Sequence, residues 1–161
     1  MIGNDVVDLA LARTESNWRR EGFVQKIFTA HEQQLISTAK DTACAIWDLW
    51  SRKEAVYKIL NRETGIRRFI PLKLECDNLN SDSKVSYDDK TFYTITEITS
   101  EYIHTVAVTK PDDFDRIYFI PEETKLSMTG SLPFVGDNDG GLKPVSVSHH
   151  GRFHFIVGLA T

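Results

Sequence analysis

One uninterrupted helical segment constrains the fold more than any other feature of the sequence. Residues 41–61, DTACAIWDLWSRKEAVYKILN, contain neither proline nor glycine, and they repeat large apolar side chains at helical spacing. Their stripe runs through Trp47 and Trp50 and continues, by steps of three and four residues, to Glu54 and Lys58. A long helix is therefore predicted, with a carboxylate and an ammonium one turn apart on its apolar side.

Two interpretations fit this pair. Glu54 and Lys58 form an i,i+4 pair of the kind that stabilises a solvated helix face by about 0.2–0.5 kcal/mol. Alternatively, the pair is functional, because ionised groups beside two tryptophans cost free energy unless they are paired or bind a metal. The functional interpretation requires a second acidic cluster elsewhere in the chain.

Composition excludes several classes of protein. A chain of 161 residues with 41% hydrophobic and 26% charged residues predicts one globular domain that needs no disulfides. Cys44 and Cys76 lack metal-ligand spacing and are expected to be buried thiols. The net charge of -4 argues against a general nucleic-acid binder. No apolar run is long enough for a membrane span, and the acidic N-terminus is unlike a signal peptide, so a cytoplasmic protein is expected.

The order of elements indicates an α+β fold. A short strand, IGNDVVDL, precedes a polar, partly helical stretch, and Thr29 and Glu32 form a predicted capping box that starts a helix before the long one. After Gly65 the runs PLKLEC, SKVSY, TFYTITEI and YIHTVAVT are rich in β-branched and aromatic residues. They predict an antiparallel sheet packed against the long helix.

The last third of the chain is less regular. Residues 110–143 contain three prolines and the loop GDNDGG, and only RIYFI among them resembles a strand. KPVSVSHHGRFHFIVGLAT then predicts two strands joined near Gly151. A single domain spanning residues 1–161, with an irregular inserted segment at about 110–143, is the expected organisation.

Two further stretches carry candidate site residues. Asp5 and Asp8 in GNDVVDL point to opposite faces of a strand but converge if the strand ends in a turn; acids capping a turn are the alternative. Ser148 and His149 in SVSHHG precede Gly151, where hydroxyl, imidazole and backbone N–H groups can bind phosphate; a polar turn is the alternative.

Together these residues suit one chemistry. Carboxylate oxygens without cysteine ligands favour Mg²⁺, which takes one or two carboxylates, substrate phosphates and water. A lysine one turn from a ligating glutamate can neutralise charge that builds on a phosphate. The combination predicts phosphoryl or diphosphate chemistry.

The blocks GNDVVDL, IFTAHE, WSRKEAVYK and VSVSHHGRF resemble, in order and spacing, the motifs of the 4'-phosphopantetheinyl transferase superfamily. The W-x-x-K-E-A-x-x-K block is the most specific. The order is that of the short holo-acyl-carrier-protein synthase type, with some features of the surfactin-synthetase-activating type. The resemblance implies a 4'-phosphopantetheinyl transferase-like single unit.

It also implies a role for each matching position. Asp5 and Glu54 match the residues that hold Mg²⁺, and Asp8 is a second or outer acidic ligand. Lys58, with Ser148 and His149, matches the groups that contact the phosphates of coenzyme A. Glu54 and Lys58 are therefore the expected catalytic residues, although a metal-bound water is an alternative general base.

The implied reaction transfers the phosphopantetheine arm of coenzyme A to a serine of an apo acyl or peptidyl carrier protein and releases adenosine 3',5'-bisphosphate. Such carriers are acidic, so Arg13, Arg19 and Arg20 in a modestly basic stretch are the docking candidates, a solvated helix face being the alternative. Arg67 and Arg68 are weaker candidates for binding either the adenosine 3'-phosphate of coenzyme A or the carrier. The carrier's pathway, whether fatty acid biosynthesis or polyketide or peptide synthesis, stays open.

The chain also departs from the resembled pattern. The segment SEYIHTVAVTKPDDFD resembles the closing strand of the longer type, while LPFVGDNDGGLKPVSVSHHGRF resembles a block near that type's N-terminus. Either His149 or His104 therefore fills the family's histidine position, and His149 is preferred for its serine and glycine neighbours. A homo-oligomer, a trimer by analogy, is expected unless the inserted segment completes the site within one chain.

Two other classes of function remain open. A Mg²⁺-dependent diphosphate hydrolase could use the same acids without a carrier. A non-catalytic module that binds carrier protein or coenzyme A is the other alternative.

Overall fold

The computed structural model describes residues 1–65, 67–136 and 140–160. Its helices are α1 (Leu9–Glu15), α2 (Phe23–Ile27), α3 (Ala30–Thr38) and α4 (Thr42–Thr64), with 3-10 turns at Pro71–Lys73 and Pro111–Arg116. Its strands are β1 (Ile2–Asp8), β2 (Leu74–Cys76), β3 (Asp82–Tyr87), β4 (Lys90–Ile98), β5 (Tyr102–Val108), β6 (Ile117–Ile120), β7 (Ser127–Thr129), β8 (Leu132–Gly136), β9 (Leu142–His150) and β10 (Phe153–Leu159).

The predicted antiparallel sheet on a long helix is confirmed. The first sheet has the order β1-β5-β4-β3-β2, with antiparallel pairing throughout. Strands β2 to β5 form the expected meander. The first strand of the chain, β1, lies at the edge of the sheet and pairs with β5. One face of this sheet packs against α4. The core between them contains Ile46, Val56 and Ile59 of the helix and Phe92, Ile103 and Ala107 of the sheet.

Helix α4 begins and ends with capping groups. Its N-cap is Asp41, whose carboxylate accepts the Cys44 backbone N–H at 2.9 Å. It ends at Gly65 in the left-handed conformation that glycine adopts without strain. The apolar stripe predicted for this helix lies at the margin of the core: Trp47 is buried, whereas Trp50 and Glu54 are half-buried.

The predicted capping box of α3 is confirmed, and its glutamate does more than cap. Glu32 accepts the Thr29 backbone N–H at 2.9 Å while Thr29 accepts that of Glu32. The same carboxylate lies 2.5 Å from the Lys53 ammonium and accepts the Cys76 N–H at 2.8 Å. Glu32 therefore connects three elements of the core: α3, α4 and β2.

A second five-stranded sheet, of order β6-β10-β9-β8-β7, packs against the β1 and β5 side of the first sheet. Ile2, Val106, Val108 and Val157 form the apolar contact between the two sheets. Residues 110–143, predicted to be irregular, contribute β6, β7, β8 and the start of β9. β6 coincides with the run RIYFI, whereas β7 and β8 are three and five residues long and β8 contains Pro133, so the residue pattern does not reveal these two.

The two cysteines are free thiols, and the helices of the described residues do not resemble membrane spans. Cys76 is buried and Cys44 is half-buried, and neither forms a disulfide. Within the described ranges, no helix is both long enough and apolar enough to cross a membrane.

Candidate active site

The site is built on β1, which is held between α4 and β9. On the α4 side, Gly3 approaches the helix so closely that a Cβ atom there would lie 2.0 Å from the Ala55 carbonyl oxygen. Only glycine fits this contact. The glycine of the GNDVVDL block therefore brings β1 against the helix that carries Glu54 and Lys58.

On the other side, side chains of β9 bond the free edge of β1. An edge strand presents unpaired backbone N–H groups at alternate residues. On β1, the N–H groups of Asn4, Val6 and Asp8 each have a side-chain partner on β9. The three bonds are Asn4 N–H to Ser146 Oγ at 2.8 Å, Val6 N–H to Ser148 Oγ at 2.9 Å and Asp8 N–H to His150 Nδ1 at 2.8 Å. We call this row of contacts the β1–β9 seam.

Asp5 and Glu54 line one cavity beside the seam. The cavity has a volume of about 310 Å³, and its other lining residues include Trp47, Trp50 and His149. Burial raises the pKa of Glu54 to about 7, and the nearby Asp5 carboxylate acts in the same direction. Burial also raises the pKa of Asp5, against the opposing effect of Lys58. Two carboxylates thus share a partly buried site with little compensating charge.

The two carboxylates differ in their hydrogen bonds. Asp5 accepts a bond from the Ser148 hydroxyl at 3.2 Å, and the Lys58 ammonium lies 3.5 Å from the same oxygen, Oδ1. Among the described residues, none donates a hydrogen bond to the Glu54 carboxylate. Glu54 is therefore oriented towards the cavity without a protein donor.

Lys58 lies beside these acids and also joins the two sheets. Its ammonium donates to the Asn4 carbonyl at 2.6 Å and to the Val147 carbonyl at 3.1 Å. Since an ammonium has three donors, these two bonds and the Asp5 contact use all of them in this arrangement. The side chain is 31% exposed, so a phosphate can approach the ammonium, but only in competition with these oxygens.

Ser148 and His149 occupy different positions although they are adjacent. Ser148 is buried within the seam. His149 is exposed at the rim of the cavity, and its ring meets that of His154 edge to face at 5.8 Å. The imidazole is thus the member of the predicted pair that faces solvent beside Asp5 and Glu54.

Asp8 is occupied by other partners. Its carboxylate caps α1 by accepting the N–H groups of Ala10 and Leu11. It also accepts three bonds from Arg152: the backbone N–H at 3.0 Å, Nε at 2.9 Å and Nη2 at 3.0 Å. These donors lower the pKa of Asp8, the Arg152 side chain most strongly. Within the described part of the chain, no three histidine, cysteine or acidic residues form a metal-binding group, and a role for Asp8 as an outer acidic ligand stays a prediction.

His104, the alternative to His149, lies in the interior. Its ring stacks on Phe155 with centroids 4.2 Å apart, and its Nε2 is 3.2 Å from Asn4 Nδ2. Burial lowers the pKa of His104 to about 4, and the Lys58 charge acts in the same direction. A neutral, stacked imidazole is suited to packing between the sheets.

The docking candidates lie on and after α1. Arg13, Arg19 and Arg20 are exposed, and the Arg19 guanidinium lies over the Trp18 ring at 4.3 Å from its centroid. Ala12, next to Arg13 in the chain, and Ser16 line the cavity itself. Docking of a carrier on the three arginines stays a prediction.

Sequence reasoning missed Ser146, His150 and Arg152. The signal was present in the alternation Ser146-Val-Ser148-His-His150, which places three polar side chains on one face of a strand. It could not be interpreted without knowing that β1 leaves an edge open beside this strand.

Comparisons with known proteins agree with this architecture. The chain superposes on the crystal structure of Thermotoga maritima holo-[acyl-carrier-protein] synthase with a TM-score of 0.54 and 15% sequence identity, over 99% of this chain and 83% of that one. At this identity the likeness shows a shared fold. A search of curated proteins finds no match. The family model of the 4'-phosphopantetheinyl transferase superfamily matches residues 1–124. With the motif residues Gly3, Asp5, Glu54 and Lys58 gathered on β1 and α4, the chain belongs to the 4'-phosphopantetheinyl transferase superfamily.

Proposed function

We propose that this protein transfers the 4'-phosphopantetheine arm of coenzyme A to a serine of an apo carrier protein, with Mg²⁺, and releases adenosine 3',5'-bisphosphate. The observation that carries the proposal is the cavity lined by Asp5, Glu54 and His149, with the Lys58 ammonium beside Asp5. Family membership supports the reaction class.

The residues present fit a magnesium ion. Mg²⁺ is bound through one or two carboxylates together with substrate phosphates, and Asp5 and Glu54 supply that number. Burial raises the pKa values of both carboxylates in spite of the Lys58 charge, and Glu54 has no hydrogen-bond donor among the described residues; a bound cation would favour the ionised forms of both. When bound, the ion would polarise the diphosphate and neutralise its charge.

The side chains around the cavity have separable roles in this proposal. Lys58 and His149 bind phosphate oxygens of coenzyme A, Lys58 by exchanging a carbonyl contact for a phosphate. Glu54 faces the cavity and is placed to accept a proton from the carrier's serine hydroxyl. The attacking oxygen belongs to the carrier, which is consistent with a site that needs no nucleophile of its own.

The carrier is proposed to dock on Arg13, Arg19 and Arg20. Acidic surfaces associate with exposed cations through long-range attraction, which governs the association rate more than affinity. An acyl carrier protein is the first candidate, as expected for the holo-acyl-carrier-protein synthase type, and a peptidyl carrier protein is the second. A role in fatty acid biosynthesis and a cytoplasmic location stay predictions.

The arrangement bears on assembly. His149 reaches the Asp5 and Glu54 cavity from the chain's own second sheet. In this proposal one chain therefore supplies both carboxylates and the histidine. The homotrimer predicted by analogy stays a prediction, which the molar mass in solution tests.

Intact mass spectrometry of an apo acyl carrier protein tests the function. We expect the carrier to gain the mass of one phosphopantetheine arm after incubation with the protein, coenzyme A and Mg²⁺, and to gain nothing when EDTA is added. Binding of coenzyme A without transfer to several carriers would instead indicate a non-catalytic module. Breakdown of coenzyme A in the absence of a carrier would indicate a hydrolase.

A further inference from the structure

The Ser148 hydroxyl is fully engaged between β1 and β9. It accepts the Val6 backbone N–H at 2.9 Å and donates to Asp5 Oδ1 at 3.2 Å. A hydroxyl has one proton to donate, and Asp5 receives it. The residue is only 4% exposed. A phosphate could accept a hydrogen bond from this hydroxyl only by displacing the Asp5 carboxylate.

We infer that Ser148 is a positioning residue that orients the Asp5 carboxylate for a divalent cation, and that it does not contact phosphate directly. The inference rests on the proposed function in one respect, namely that Asp5 is a cation ligand. Carboxylates that bind metals are commonly oriented by hydrogen bonds from outside the ligand set, and loss of such a bond typically weakens metal binding or activity by about 10–100-fold.

The geometry gives the serine a specific task. Asp5 projects from a strand whose backbone is fixed by β5 on one edge and by the seam on the other. Its side chain still has rotational freedom, which the Ser148 bond and the Lys58 contact at the same oxygen restrict. Both contacts also favour the ionised carboxylate that a cation requires.

Ser146 provides a matched control on the same face of the same strand. It is buried like Ser148, and its hydroxyl accepts the Asn4 backbone N–H at 2.8 Å. No hydrogen bond from Ser146 to a carboxylate is found among the described residues. Replacing either serine by alanine therefore removes one seam bond, but only Ser148→Ala also removes a hydrogen bond to the Asp5 carboxylate.

The test is Mn²⁺ binding followed by electron paramagnetic resonance, on the full chain with saturating coenzyme A. We expect Ser148→Ala to raise the Mn²⁺ dissociation constant about tenfold or more, and Ser146→Ala to leave it unchanged. Both variants should lose a similar amount in melting temperature, because each loses one bond of the seam. The KM for coenzyme A at saturating Mg²⁺ should change little in Ser148→Ala.

Three results would overturn the inference: unchanged Mn²⁺ binding in Ser148→Ala, equal weakening in Ser146→Ala, or a wild-type protein that binds no Mn²⁺. A raised KM for coenzyme A with unchanged Mn²⁺ affinity would assign Ser148 to phosphate binding instead. Wild-type protein that binds Mn²⁺ but modifies no carrier would contradict the proposed function, while the serine comparison would still decide the role of Ser148.

Discussion

The Lys53 ammonium lies 2.5 Å from Glu32 Oε2, and neither side chain has any exposed surface. Lys53 also donates to the backbone carbonyls of Ile27 and Pro71, each at 2.9 Å. Two of the sequence blocks, IFTAHE and WSRKEAVYK, thus meet through one buried ion pair. Lys53 supports the helix that carries Glu54 while lying outside the cavity.

Replacing Lys53 by methionine should destabilise the protein strongly. Removal of one partner of a buried pair leaves an uncompensated charge, which typically costs about 3–5 kcal/mol. Chemical denaturation measures the free energy of unfolding, and Lys40→Met is the control, because Lys40 is exposed and forms no ion pair with the described residues. A loss below about 1 kcal/mol, the scale of exposed ion pairs, would contradict the structural role.

Gly3→Ala should separate β1 from α4. The added methyl group would meet the Ala55 carbonyl oxygen, a backbone atom that cannot turn aside. Overpacking typically lowers the free energy of unfolding by about 1–3 kcal/mol, occasionally more. We expect a loss at the upper end of this range, and we also expect transfer activity to be lost. Gly136→Ala is the control, because no described residue other than its chain neighbours has an atom within 4 Å of its Cβ position. Equal melting temperatures for the two variants would refute the close contact.

His104 should make stability depend on pH in mildly acidic solution. Its pKa is lowered from 6.5 to about 4 by burial, so the unfolded chain binds a proton before the folded one does. The contribution of His104 to stability should therefore fall as pH falls from about 6.5 to about 4, by about 3 kcal/mol, whereas Glu54, with its pKa raised to about 7, acts in the opposite direction. The free energy of unfolding of His104→Gln, measured by chemical denaturation, should therefore rise relative to that of wild type as pH falls across this range. A difference between the two proteins that does not change with pH would place His104 in a more solvated site.

The arginines after β1 should affect the carrier and not coenzyme A. Arg13→Ala or Arg20→Ala should raise the KM for the carrier by up to about fivefold, the scale of exposed ion pairs, and the effect should fade in salt. The KM for coenzyme A should stay unchanged, because these side chains do not line the cavity. Lys125→Ala is a control at another exposed cation. A loss confined to coenzyme A would contradict carrier docking at this face.

Much of the fold could be predicted because it depends on local pattern. The absence of glycine and proline from residues 42–64, the Thr29 capping box and the alternating runs after Gly65 act within a few residues of chain. The second sheet could be predicted only in part. Its strands β6, β9 and β10 match runs that indicate strands, but β7 and β8 are three and five residues long, and the pairing of all five depends on distant partners.

The candidate site also combines features that local sequence determines with contacts between distant residues. The spacing of Glu54 and Lys58 follows from helical geometry, and so their proximity could be predicted. The partners of Asp8 and Ser148 could not, since Arg152 lies 144 residues from Asp8 and Ser148 lies 143 residues from Asp5. These contacts depend on how β9 and β10 meet β1. Arg52 and Lys53 are fully buried, which the pattern of residues does not indicate, because Asp48 and Glu32 lie within reach.

The central claim is that the carboxylate pair of Asp5 and Glu54 performs phosphopantetheine transfer. The most direct test is the rate at which an apo acyl carrier protein gains mass with coenzyme A and titrated Mg²⁺, compared between wild type and Glu54→Gln. Glu63→Gln, on the same helix but paired with Lys90 outside the cavity, is the control. We expect wild type and Glu63→Gln to transfer alike, and Glu54→Gln to be slower by about 10²-fold or more. Full Mg²⁺-dependent transfer by Glu54→Gln would contradict the account.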